Sequence, residues 1–198
     1  MIENHRLTGA QFLESPNHGG SLEAPTVIVA HYTAGHSAAK SAQWLCSKQA
    51  RASAHIIIGR AGELYQLVPF NVIAWHAGTP THWRGKAAVN SFSIGIELDN
   101  PGPVVKDSSG AWRALALGRT FRNDEVVVAT HPKSRDACGW VTYTPIQLAI
   151  FEHLCHDLIA AYPTLQALAG HEDVKVAKLD PGPLFPKDHL SARLFGRS

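Results

Sequence analysis

Thr26-Val27-Ile28-Val29-Ala30-His31-Tyr32-Thr33 decides the fold: β-branched and apolar residues run unbroken until a histidine closes them. Such a run, bounded by turn residues, reads as a buried central strand. Ser37 follows as a helix cap, and a helix is expected over roughly Ala38 to Ala50. Ala54 to Ile58 and Glu63 to Val68 then flank Gly59-Arg60-Ala61-Gly62, whose glycines suit a tight turn between antiparallel strands. Ser93 to Leu98 alternates polar or small with apolar residues, which predicts another strand carrying Glu97 near its carboxyl end.

The best-defined helix starts at Thr144, where Thr144-Pro145-Ile146-Gln147 supplies an N-cap, a proline at the first helical position and a capping-box glutamine. Phe151, Leu154, Cys155, Leu158, Ile159 and Tyr162 recur at helical spacing as a core face, and Pro163 ends the run. His153, His156 and Asp157 fall off that face, and a solvated helix surface explains them better than metal ligation. Pro101 to Val141 holds scattered Pro, Gly, Ser and Asp with two short apolar runs, so a long loop is expected there, functional or mobile. Trp112, Phe121, Trp140 and Tyr143 would pin that loop to the body. The whole reads as one α/β domain over residues 1–198, with a long inserted loop at about 101–141.

Composition narrows the chemistry. A chain of 198 residues with 45% hydrophobic content can bury one sizeable core. Its formal net charge of +2, without a Lys/Arg stripe, argues against nucleic acid as a partner. Cys46, Cys138 and Cys155 are widely spaced and form no CxxC pair, so neither a disulfide framework nor a thiolate zinc knuckle is indicated. No apolar segment is long enough for a signal peptide core or a membrane span. The product as written is therefore expected to start in the cytosol; a trimmed signal or release by lysis would leave the same sequence.

His31 at a strand end, with His171 and Asp180 bracketing Lys178 far down the chain, offers two imidazoles and a carboxylate. That set is enough to hold a zinc ion with the fourth position open for water, so a metal-dependent hydrolase is the leading reading. His171-Glu172 is not the start of an HExxH motif, because the fifth residue is Lys175.

Five segments together resemble the zinc-dependent N-acetylmuramoyl-L-alanine amidases, which are related to phage lysozyme-type amidases and peptidoglycan recognition proteins. They are Val27 to Gly35 around His31, the Ser53 to Pro69 hairpin, Ala74-Trp75-His76-Ala77-Gly78, Asn90 with Ser93 to Asn100, and Gly170 to Pro186. The likeness covers about residues 22 to 186 and keeps the family's order. It implies a central mixed β-sheet flanked by helices, with one zinc per chain on His31, His171 and Asp180. Asp180 stands where other members carry cysteine, which places the chain with the carboxylate-ligand subset.

Glu97 is expected to shuttle the proton and Lys178 to stabilise the oxyanion. Ala54 occupies a position where some relatives place a catalytic tyrosine, which leaves more of the proton transfer to Glu97. Trp75, His76 and Asn90 are expected to line the substrate groove. His55 reads equally as a structural histidine or as a group supporting the site.

The implied substrate is the amide between the lactyl group of N-acetylmuramic acid and the L-alanine of a peptidoglycan stem peptide, in muropeptide recycling or cell-wall lysis. The alternative is a module that binds peptidoglycan without cutting it, which usually lacks part of the metal set. A structural zinc protein is disfavoured, since closed sites take four protein ligands and favour cysteine.

Overall fold

A computed structural model of the chain describes residues 1–196. Its centre is a six-stranded mixed sheet in the order 167–170, 27–32, 93–98, 56–58, 64–66, 11–12. The Val27–Tyr32 strand lies parallel between Ala167–Gly170 and Ser93–Leu98. Ile56–Ile58 runs parallel to Ser93–Leu98 and antiparallel to Leu64–Gln66, closing the expected hairpin.

The two faces of this sheet are buried differently. Ile28, Ala30, Ile94, Ile96 and Leu98 point into the main core, while Val27 and Val29 enter a second cluster with Ala77, Val89 and Phe92. Covering the main core is α2, Pro145–Ala161, which presents Phe151, Leu154, Cys155 and Leu158. Lys187–Phe195, here α4, adds Leu190 to the same cluster.

The start of α2 follows the sequence closely. Thr144 Oγ1 accepts from the Gln147 amide at 3.2 Å and donates to the Arg60 carbonyl at 2.8 Å, tying the helix to the hairpin turn. Thr144→Ala is therefore expected to cost about 1–2 kcal/mol of stability. Urea denaturation should show this as a lower midpoint with an unchanged m-value.

Two expectations need correction. The first helix, α1, spans only Ala38–Leu45, followed by a separate 3₁₀ turn at Lys48–Ala50. Asn17 explains the break: its Nδ2 donates to the carbonyls of Leu45, Ser47 and Ala52 at 2.7–3.1 Å, holding them away from helical geometry.

The 101–141 segment is not a loop but a five-stranded antiparallel sheet, in the order 119–121, 112–114, 103–106, 137–141, 126–130. Val104, Ala114, Phe121 and Val141 form its own small core. Trp140 fastens this added sheet to the body, since its ring lies so close over Gly182 that a Cβ there would come within 2.8 Å of it. Gly182 also has φ +83°, so glycine is required on both counts.

Candidate metal centre

Strand geometry aligns the centre. Glu97 and His31 are paired neighbours on adjacent parallel strands, so both side chains leave the same face of the sheet. His171 follows the Ala167–Gly170 strand directly, as the first residue of a single helical turn, α3, His171–Val174. The chain then loops back so that the Glu172 amide donates to the Asp180 carbonyl at 2.9 Å. Pro181-Gly182-Pro183 holds the far side, where the Tyr143 hydroxyl donates to the Pro181 carbonyl at 2.8 Å.

His31 Nδ1 and His171 Nδ1 each lie 3.0 Å from Asp180 Oδ2, and all three residues are buried. Among the described residues this is the group of His, Cys, Asp or Glu side chains whose donor atoms converge closely enough to hold a metal ion. The donor chemistry fits a cation. His171 Nε2 lies 2.9 Å from the Ala77 carbonyl, which can only accept, so in the neutral ring the proton sits on Nε2 and the Nδ1 lone pair faces the carboxylate. Two such acceptors 3.0 Å apart repel unless a positive charge lies between them.

Burial lowers His31 to a pKa of about 4, with His171 adding to the shift and Asp180 opposing it. Burial alone would raise Asp180, but the closeness of His171 and His31 outweighs it and keeps the carboxyl well below its usual range. His31 is thus set up as a neutral imidazole beside an ionised carboxylate, the protonation state metal binding needs.

Glu97 stands over this group. Its Oε2 is enclosed and has no hydrogen-bond partner. Burial, reinforced by the Asp180 charge and opposed by Lys178, pushes its pKa up to about 8. A carboxyl titrating near neutrality can take and return a proton.

Two clefts meet at the metal group. The larger, of 840 Å³, is bordered by Glu97, Asp180, Trp44 and Leu117. The smaller, of 520 Å³, is bordered by Trp75, Asn90, Arg51 and Lys175. His76, His171 and Lys178 line both.

The three expected ligands and Glu97 therefore come together, with Lys178 at the cleft junction. Trp75, 39% exposed, and Asn90 border the second cleft. Asn90 also accepts from the Ala77 amide at 2.9 Å, fixing the loop whose carbonyl orients His171. His76 is only 8% exposed, and both its ring nitrogens are engaged inside the protein. His55 is structural: it bridges the Val72 carbonyl and the Gly95 amide, each at 3.0 Å. His153 and His156 are exposed on α2, away from the centre.

Sequence reasoning missed the support behind the ligand turn. His131 meets the Glu172 carboxylate, and Lys187 Nζ reaches Glu172 Oε1 at 2.8 Å and Asp173 Oδ2 at 2.7 Å. Lys133 Nζ donates to the carbonyls of Glu172, Lys175, Val176 and Lys178. These partners lie 39 to 45 residues from Lys133, so no local pattern announces them.

Comparison with known proteins matches residues 21–183 to the family described as N-acetylmuramoyl-L-alanine amidase. The chain is 31% identical over 179 residues to N-acetylmuramoyl-L-alanine amidase AmiD of Escherichia coli K12, a match covering 86% of this chain and 53% of that protein. It is 27% identical over 206 residues to 1,6-anhydro-N-acetylmuramyl-L-alanine amidase AmpD of the same organism, covering 93% of this chain and 92% of that one. The chain thus spans about half of the first relative and nearly all of the second.

Among solved structures, the E. coli AmiD complex with anhydro-N-acetylmuramic acid-L-Ala-D-gamma-Glu-L-Lys superposes with a TM-score of 0.63 at 28% identity, over 97% of this chain and 62% of that chain. An AmpD crystal structure shares the fold, with a TM-score of 0.66 at 23% identity over 98% and 99% of the two chains.

Proposed function

The chain belongs to the N-acetylmuramoyl-L-alanine amidase family, and on that premise we propose that it hydrolyses the amide between the muramic acid lactyl group and the L-alanine of a stem peptide, with zinc held by His31, His171 and Asp180. The observation that carries this reading is Glu97, whose Oε2 is buried without a partner beside the three converging donors. A module that only binds peptidoglycan has no use for an unsatisfied carboxyl at that point.

Zinc, when bound, supplies a Lewis acid that acidifies water and polarises the amide carbonyl. The chain's own residues do the rest. Glu97 removes the proton from the attacking water and hands it to the departing alanine nitrogen, so that the amine leaves neutral. Lys178, which borders both clefts, stabilises the oxyanion as the carbonyl oxygen gains charge.

The two clefts suit the two ends of a muropeptide. Trp44, 57% exposed beside the larger one, offers a flat apolar face to the sugar. Arg51 and Lys175 on the smaller one meet the stem peptide's carboxylates, next to Trp75 and Asn90. No helix among the described residues is long and apolar enough to cross a membrane.

Incubation with anhydro-N-acetylmuramic acid-L-Ala-D-γ-Glu-L-Lys should release a peptide with a free L-alanine amine, read by mass spectrometry. Chelation should stop the release and added zinc should restore it. Turnover indifferent to chelator, or cleavage at another bond, overturns the proposal.

A further inference from the structure

A chain of hydrogen bonds runs from the metal group into the protein and ends on a group that can only accept. His31 Nε2 lies 2.9 Å from His76 Nδ1, His76 Nε2 lies 2.9 Å from Ser93 Oγ, and Ser93 Oγ donates to the Val89 carbonyl at 2.7 Å. The carbonyl has no proton to give, so its direction dictates all the others. Ser93 spends its single proton on Val89 and must accept from His76. His76 therefore carries its proton on Nε2 and offers a bare Nδ1 to His31. His31 in turn carries its proton on Nε2, and its Nδ1 lone pair is left facing Asp180 and His171.

We propose that Val89, Ser93 and His76 form a one-way relay that locks His31 in the Nε2–H tautomer and so presents its Nδ1 lone pair to the cation. His76 is a positioning residue: it acts through His31 and needs no contact with substrate.

One strand face carries the device. Ser93, Gly95 and Glu97 share the side of the Ser93–Leu98 strand opposite the core-facing Ile94, Ile96 and Leu98. Ser93 anchors His76, and Glu97 reaches the reaction. Gly95 lies between them because the His76 ring rests on its Cα, where a Cβ would come within 2.3 Å of the imidazole. The alternation Ser-x-Gly-x-Glu thus encodes an anchor, a gap and a proton carrier at successive positions. His171 has the simpler arrangement, with the Ala77 carbonyl as its direct acceptor. Because Ala77 follows His76, one short segment sets the tautomer of both imidazoles.

This inference rests on the metal-centre reading, and the test separates the two. Zinc affinity is measured on the intact chain by competition with a chromophoric chelator. His76→Leu keeps bulk but removes the acceptor, and should weaken zinc binding by about 10–100-fold. His76→Asn loses bulk but places a carbonyl oxygen near the position of Nδ1, and should recover most of that affinity; a packing role alone would give the opposite order. Nitrogen NMR of the metal-free wild type should show His31 and His76 both protonated at Nε2, which decides the matter even if the leucine variant fails to fold.

Unchanged zinc affinity in His76→Leu, an asparagine variant no better than the leucine one, or an Nδ1–H His76 overturns the relay. A wild type that binds no zinc overturns the metal centre itself, while the tautomers still report on the relay.

Discussion

Glu97→Gln should lower the rate of amide hydrolysis by about 10²–10⁴-fold, the usual loss when a positioned acid–base group is removed. Zinc stoichiometry should not change, because Glu97 is not among the three converging donors. The same substitution should make the metal-free protein more stable near and above neutral pH. The folded-state pKa of Glu97 is raised from 4.5 to about 8, so the folded protein holds a proton there that the unfolded chain has lost. The stabilising contribution is fully present below 4.5 and disappears as pH rises through 8, where the charge is buried without a partner. A glutamine never carries that charge.

The melting-temperature gap between Glu97→Gln and wild type, both in chelator, should therefore open between pH 4.5 and 8. Activity within tenfold of wild type would remove Glu97 from the mechanism. A gap that is flat across that range would show that its carboxyl is not strained by burial.

Asp180→Ala should be as severe for a different reason. Removing the carboxylate leaves two imidazoles, too few to retain the ion at micromolar protein, and with it goes a Lewis-acid contribution of several kcal/mol, about 10³-fold in rate or more. Asp180→Cys is the informative control, since a thiolate is also a zinc ligand. It should keep zinc at one per chain in elemental analysis, where the alanine variant loses it. A zinc-replete, active Asp180→Ala protein would mean that the ion is held elsewhere. Equal zinc loss in both variants would mean that the Asp180 backbone, and not its ligating oxygen, was what mattered.

Local signals made the body of the fold legible. The Thr26 to Thr33 run, the Gly59 to Gly62 turn and the Thr144 cap each express a preference that tertiary packing leaves intact. The end of α1 was hidden because its cause, Asn17, lies 28 residues before the carbonyl it captures at Leu45. The added sheet was hidden because its strands are three to five residues long, and Val127 and Val128 remain exposed, which leaves little of the alternation that marks a half-buried strand.

At the centre, residue types and order pointed to His31, His171 and Asp180, yet nothing in their spacing announced that His76 would stand behind His31. That contact depends on a glycine two strand positions from Ser93. A missing side chain is a weak signal in a single sequence, although it decides here which ring can approach.

The lysine of the added sheet that gathers four carbonyl oxygens from the ligand turn has an evolutionary corollary. Lys133 belongs to a module that contributes no atom to the metal group, yet it ties together the backbone that runs from His171 to Asp180. On the proposed metal reading, drift within that module can therefore retune how long an ion stays and how fast the site turns over while the gripping atoms stay untouched, giving selection a dial outside the chemistry.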